Sequence, residues 1–211
     1  ANLHQIMAAM IDTKALATQI KIAQVEVGDD SKGILAIRRR MRIYAAMIDT
    51  QDAEHSYRLR ISLQEKCVRH VQHLWTTSFP NNPSLEDMLT LAHQVIERQV
   101  SADRAEIEAH RFFQSLDRAA TNPANHRAIM VADAARQLIA STCYRDPYAD
   151  IDETIEDDDE LLPDSLDCSY ACACAVAGGM NWRPVAEVDV EARRTFWMWY
   201  LNEAIPAVLR N

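Results

Sequence analysis

The sequence is poor in the residues that make tight turns and has no long apolar run. Of its 211 residues, 4 are glycine and 7 are proline, whereas residues that favour helices, such as Ala, Leu, Ile, Glu and Arg, are abundant. Because it contains no run of 18 apolar residues, we expect no membrane span and no membrane partner. The chain does not open with a basic stretch followed by an apolar one, so no signal peptide is expected, and the prediction is a cytoplasmic protein.

The cysteines are too few and too irregularly spaced to predict a disulfide framework or a zinc site. There are 5 of them, and the C-x-x-C spacing of zinc ligands is missing. Cys168, Cys172 and Cys174 lie among Ala and Val, which predicts small core side chains in a reducing compartment. His70 and His73 share a predicted helix, but a metal ion needs further ligands. We therefore expect no metal and no cofactor.

Sequence motifs for nucleotide binding and hydrolysis are also missing. The chain contains no G-x-G-x-x-G, Walker A, H-E-x-x-H or G-x-S-x-G sequence, and its low glycine content argues against loops that cradle phosphate. An EF-hand loop starting at Asp150 would place Thr154, Ile155 and Leu161 at positions that require acids or glycine. These absences favour a protein without enzymatic activity.

Apolar residues recur with helical spacing along almost the whole chain. The predicted helices cover residues 3–27 with a break, 33–48, 53–78, a stretch capped by Ser84, a stretch capped by Ser101, 125–144, and about 189–208. A further short helix is expected after a cap at Asp164 or Ser165, ending at Gly178-Gly179. The prediction is a single all-α domain over residues 1–211, with about seven to nine helices and one acidic loop between helices.

One stretch, residues 146–167, holds the net negative charge of the chain, and we call it the acidic segment. It contains eleven Asp or Glu and no Lys or Arg, and the other 189 residues have 20 acidic and 22 basic side chains. Such a segment attracts basic surfaces and repels nucleic acid, so no direct nucleic-acid binding is expected. The arginines at 38–42, with Arg58 and Arg60, favour ion pairs across helices, including pairs with this segment.

Several short stretches, taken together in their order, resemble a known family. They are Arg40–Asp49, Arg58–Ile61, Leu74-Trp75, Phe79-Pro80, Asp146–Tyr148, Gly178-Gly179, Trp182 and Phe196–Pro206. This pattern is similar to the family-five immunity proteins of bacterial polymorphic toxin systems, over about residues 33–209, and residues 1–30 form a less typical helical segment. The resemblance implies an all-helical, non-enzymatic protein that protects a bacterial cell from a toxin.

This resemblance gives the acidic segment a predicted role. A cluster of carboxylates can occupy a basic cleft in place of phosphate, steer association and block substrate. The expected partner is therefore a cognate toxin, such as a nuclease or another enzyme with a basic cleft. The predicted contacts are an aromatic anchor and eight carboxylates, namely Tyr148, Asp150, Asp152, Glu153, Glu156, Asp157, Asp158, Asp159 and Glu160.

Two alternatives stay open at this point. One is an enzyme of unrecognised type that uses acids such as Asp150 or Glu153 with a histidine in a helical cleft. The other is a structural adaptor whose acidic segment packs on the arginines at 38–42. Trp197 and Trp199 are further candidates for binding anchors, with core packing as the competing interpretation. A binder requires exposed carboxylates, and an enzyme requires a pocket in which titratable groups converge.

Overall fold

The computed structural model describes residues 10–155 and 167–210. Its α-helices are α1 (Thr13–Asp29), α2 (Ile37–Ala46), α3 (Ala53–Ser78), α4 (Ser84–Ile96), α5 (Ala102–Gln114), α6 (Asp117–Ala120), α7 (His126–Thr142), α8 (Cys168–Ala177), α9 (Val190–Trp199) and α10 (Ile205–Leu209). A π-helical turn, Tyr200–Ala204, joins α9 to α10 without a break. Counted in this way, the described residues form nine helices and no strand, which confirms the predicted all-α architecture.

Helices α3, α7 and α8 form the centre of the molecule. α7 packs along α3, and α8 lies against both of them. α8 reads C-S-Y-A-C-A-C-A-V-A, and all of its residues except Val176 are buried, as is typical of a helix that is apolar on every side. The predicted burial of Cys168, Cys172 and Cys174 is thus confirmed, and the five cysteines, all among the described residues, form no disulfide. Burial raises the pKa of the Cys172 thiol, so this group stays protonated and inert.

Two of the predicted helix-end residues, Ser101 and Gly178, lie where the sequence placed them, and Ser84 does not. Ser101 caps α5, because its hydroxyl accepts a hydrogen bond from the Arg104 N–H at 3.4 Å. Gly178 ends α8 with φ +76°, a left-handed conformation that suits glycine. Ser84 is the first residue of α4 rather than its cap, since Pro83 precedes the helix without a side-chain cap. The prediction for Ser84 was therefore wrong by one position.

Two other helices begin later than predicted. α2 starts at Ile37 and not at residue 33, because Gly33 adopts φ +66° where the chain passes close to α9. A Cβ atom at Gly33 would lie 2.9 Å from the Val190 carbonyl oxygen, so this turn requires glycine. α8 begins at Cys168 with Asp167 as its cap. The predicted caps Asp164 and Ser165 lie outside the described residues, as does the predicted start of the first helix at residue 3.

The aromatic C-terminal helix belongs to the core. Trp197 is only 1% exposed. It therefore packs in the core and cannot act as a binding anchor, so the anchor interpretation was wrong for this residue. Trp199 is half-buried and stacks on His70 with ring centroids 3.7 Å apart. The helix widens into the π turn just before Pro206, which has no N–H to continue regular α-helical bonding. No helix among residues 10–155 and 167–210 has both the length and the apolar character needed to cross a membrane.

Candidate partner interface

The acidic segment begins shortly after the end of α7, where Arg60 of α3 binds backbone carbonyls on both sides of the junction. Arg60 is 5% exposed. Its Nη2 donates to the carbonyl oxygens of Ser141 and Tyr144, and its Nη1 donates to that of Asp146 at 3.0 Å. A planar guanidinium can satisfy several acceptors at once, which a lysine ammonium at this position cannot do with the same geometry. Arg60 therefore sets the path of the chain into the acidic segment.

Arg60 also binds the first predicted contact carboxylate. The Asp150 Oδ2 atom lies 3.2 Å from Arg60 Nε and accepts a hydrogen bond of 2.6 Å from the Ser141 hydroxyl. Arg60 Nε donates to the same hydroxyl oxygen at 3.1 Å. The charge of Asp150 is thus balanced inside the molecule.

A second arginine fixes the residues just before the segment. Arg145 Nη1 lies 2.9 Å from both carboxylate oxygens of Glu54, and its guanidinium stands over the Tyr57 ring at 4.7 Å. Arg145 Nη2 donates to the Val95 and Ile96 carbonyls at the end of α4, where a cation complements the helix terminus. The path out of α7 is therefore tied to both α3 and α4.

Between Asp150 and Ile155 the segment turns its charges outward. Ile151 and Ile155 pack against the core, whereas Asp152 and Glu153 between them are exposed. The hydroxyl and the N–H of Thr154 donate to Asp152 Oδ1, at 2.6 and 2.9 Å. These bonds lower the pKa of the Asp152 carboxyl, so it stays ionised. Two apolar contacts thus hold a short anionic loop at the surface.

Aromatic side chains border this loop. Tyr148 is 56% exposed and Tyr144 is 55% exposed. Tyr148 was predicted as an anchor, and its exposure leaves it available for contact. Tyr144 was not predicted, because one tyrosine after a helix gives no signal until the loop's path is known.

The far end of the segment is also held by an arginine. The Asp167 carboxylate caps α8 by accepting from the Tyr170 N–H at 2.7 Å, and Arg40 Nε lies 3.2 Å from its other oxygen. Arg40 is fully buried, with its guanidinium over the rings of Tyr170 and Trp197, at 5.5 and 5.3 Å. The five remaining predicted contacts, Glu156, Asp157, Asp158, Asp159 and Glu160, lie outside the described residues.

Arg39 and Arg40, although adjacent, form ion pairs with different parts of the molecule. Arg39 forms a two-point ion pair with Glu26 of α1, with N–O distances of 3.0 and 2.7 Å. Hydrogen bonding to Arg39 lowers the pKa of the Glu26 carboxyl. The expected pairing of arginines across helices is confirmed for Arg39, Arg40 and Arg60. Of the arginines at 38–42, Arg40 pairs with the segment at Asp167, as the adaptor interpretation expects, whereas Asp152 and Glu153 are exposed.

A groove of about 300 Å³ lies between α2, α3, α7 and the acidic segment. We call it the acidic groove, because Asp150, Asp152 and Asp167 line it and none of its described lining residues is Lys, Arg or His. The Ser141–Asp150 hydrogen bond inside it resembles a nucleophile with its base. However, Arg60 binds both of these oxygen atoms, which makes them part of a structural ion pair. The acid and histidine of the enzymatic alternative do not meet in this groove.

The described residues define an all-α protein. The family model described as Immunity protein Imm5 matches residues 20–207, and the chain belongs to this family of immunity proteins, which act against toxins. The match confirms the resemblance seen in the sequence and extends it into α1, ahead of residue 33. A search of curated proteins found no match.

Proposed function

We propose that this immunity protein neutralises a cognate bacterial toxin by binding a basic surface of it through the acidic segment, without turnover. The proposed contacts are Tyr148, Asp152 and Glu153, together with the carboxylates at 156–160. Asp150, which was predicted as a contact, also holds the segment on Arg60 through one of its two carboxylate oxygens. The observation that supports this most directly is the outward position of Asp152 and Glu153 on a backbone fixed from within.

Charge complementarity favours a target with a basic cleft, such as a nuclease or another enzyme of anionic substrates. Asp152 and Glu153 form no ion pair with any described residue, so their field is not cancelled locally. Uncompensated carboxylates on a fixed loop raise the rate of encounter with a positive surface, and their oxygens can replace phosphate oxygens there. Tyr148 and Tyr144 add apolar contact area at low cost in side-chain entropy.

The proposed compartment is the cytoplasm. None of the five cysteines, all of which the structure describes, forms a disulfide, as is typical of a reducing environment. In that compartment the protein would meet a toxin delivered by a neighbouring cell or made by its own cell.

The test is binding to the toxin encoded beside the gene for this chain. Association rates are measured by stopped flow for the wild type and for a double variant, Asp152→Asn with Glu153→Gln, and protection is measured as growth under toxin expression. We expect the double variant to associate several-fold more slowly, because electrostatic steering acts on the on-rate. A second variant, with Asn replacing Asp157, Asp158 and Asp159, should slow association further.

A matched control removes the same charge elsewhere. Asp87 and Glu106 are exposed on α4 and α5, and the pair Asp87→Asn with Glu106→Gln should associate like the wild type. Unchanged association and protection in the segment variants would show that the acidic segment is not the interface. Inhibition should also saturate at a fixed stoichiometry, with the toxin's mass unchanged. Progressive loss of toxin at catalytic amounts of this protein would favour the enzymatic alternative.

A further inference from the structure

The acidic groove contains a buried hydrogen-bond acceptor to which no described residue donates. Gln64 of α3 is 4% exposed and lines the groove beside Ser141. Its Oε1 atom is buried and accepts no hydrogen bond from any described residue. A buried acceptor left unpaired destabilises a protein, so such a group in a groove points to a donor supplied from outside.

The neighbouring bonds determine which way the Gln64 amide faces. The Ser141 hydroxyl has one proton, and that proton is directed to Asp150 Oδ2 at 2.6 Å. Ser141 Oγ must therefore accept from Gln64, whose Nε2 lies 3.1 Å away, because it has no second proton to donate. This places the amide nitrogen on Ser141 and leaves the oxygen as the unpaired end.

Carboxylates line the groove around this oxygen, and some of their oxygen atoms accept no hydrogen bond from the described residues. Among the described residues, Asp150 Oδ1 and Asp152 Oδ2 accept no hydrogen bond, and both residues line the groove. Its other walls include Ile37, Met41 and Ile155, which suit the aliphatic part of a long side chain. A ligand that fits must combine an apolar stem with a cationic head that has several donors.

We infer that the acidic groove binds the side chain of a basic residue, preferably arginine, presented by the toxin. This inference rests on the proposed function and names the chemistry of one contact within it. The guanidinium would donate to Gln64 Oε1 and to the free oxygens of Asp150 and Asp152, while its methylene groups lie on the apolar wall. Arginine fits better than lysine, because its planar head can reach several acceptors at once.

The direct test uses a small probe in place of the toxin. Nα-acetyl-arginine-N-methylamide is titrated into the whole protein, and the Gln64 side-chain amide and the Asp150–Asp152 backbone amides are followed by NMR. We expect saturable shifts in the millimolar range that the uncharged citrulline analogue does not produce. Asp152→Asn should weaken probe binding by about tenfold, since it removes a charge-assisted bond. Asp87→Asn, which is exposed on α4 and outside the groove, should leave probe binding unchanged.

A variant at Gln64 separates a binding role from a structural one. Gln64→Met keeps a long unbranched side chain but removes the acceptor, so we expect weaker probe binding with an unchanged or raised Tm. Equal binding of the citrulline analogue, no shift in the wild type, or retained probe binding by Gln64→Met would each overturn the inference.

The same variant distinguishes this inference from the proposed function. Gln64→Met changes no charge, so its toxin complex should associate normally and dissociate faster. If Asp152→Asn with Glu153→Gln slows association while Gln64→Met leaves dissociation unchanged, the acidic interface stands and the groove contact is wrong. If neither variant changes binding, both proposals fail.

Discussion

Arg58 and Arg60 are two positions apart on α3, yet they lie in different surroundings. The Arg58 side chain is 46% exposed and bridges Glu54 and Glu97 at the surface. Arg60 is buried and donates to three backbone carbonyls as well as to Asp150. Exposed ion pairs contribute little to stability, whereas removing one member of a buried pair leaves a charge without compensation.

Replacing each arginine by alanine should expose this difference. Arg60→Ala should lower the free energy of unfolding by about 3 kcal/mol, because Asp150 and the carbonyls lose their donor. Arg58→Ala should lower it by less than about 1 kcal/mol. Chemical denaturation followed by circular dichroism measures both values. Similar losses in the two variants would contradict the organising role given to Arg60.

At the scale of elements, the acidic segment runs directly into α8 at its far end. Asp167 is both the last residue of the segment and the cap of α8, and it also pairs with the buried Arg40. A helix cap and a buried ion pair depend on the same carboxylate. The segment is therefore coupled to the helix at the centre of the core.

Substitution at Asp167 should separate these two contributions. Asp167→Asn keeps a capping side chain and loses the charge, whereas Asp167→Ala loses both. We expect a loss of about 3 kcal/mol for Asp167→Ala and a smaller loss for Asp167→Asn, since asparagine caps a helix as well as aspartate does. Thermal and denaturant unfolding measure the order. A greater loss for the asparagine variant would show that the cap contributes nothing.

The junction of α1 with α2 depends on the pair between Glu26 and Arg39. Pairing lowers the pKa of the Glu26 carboxyl below its usual 4.5. A lowered folded-state pKa means that the stabilisation is complete above the unfolded pKa and is lost as pH falls through the folded pKa. Glu26→Gln should therefore reduce stability by about 1 kcal/mol at neutral pH. The difference from wild type should disappear in unfolding curves recorded below the folded pKa, and a constant difference at all pH values would disprove the pair's role.

At the scale of the whole molecule, the charge is divided between a nearly neutral helical body and the acidic segment. The formal net charge is −9, and the segment contains eleven acids without a base. Arg40 and Arg60 compensate one carboxylate each at its two ends, and Asp152 and Glu153 remain exposed. The field of the molecule is therefore directional.

A directional field predicts a strong salt dependence of toxin binding. Raising ionic strength toward about 0.15 M shortens the Debye length to roughly 8 Å, so the wild-type association rate should fall steeply. The variant Asp152→Asn with Glu153→Gln should show a weaker dependence, because less of its on-rate comes from steering. Stopped-flow measurements at several salt concentrations test this. An on-rate that does not depend on salt would exclude electrostatic steering.

The all-helical class, most helix positions and the family were predictable from local information. Helical periodicity reports which face is buried, and side chains such as Ser101 or Gly178 end helices through bonds within a few residues. Misplaced boundaries at Ser84 and residue 33 arose where a neighbouring turn or a close helix contact decided the outcome. Gly33 is an example, since its turn is set by the approach of α9.

The sequence by itself determined that this chain would fold as helices and concentrate its negative charge in one segment, because both follow from residue type and short-range spacing. Only the tertiary structure decided which acids are free. Asp150 and Asp152 are two residues apart, but Arg60 neutralises the first and the second faces solvent. Likewise, Gln64 borders the acidic groove only because α3, α7 and the segment meet there. Long-range packing selects these partners, and no local pattern encodes it.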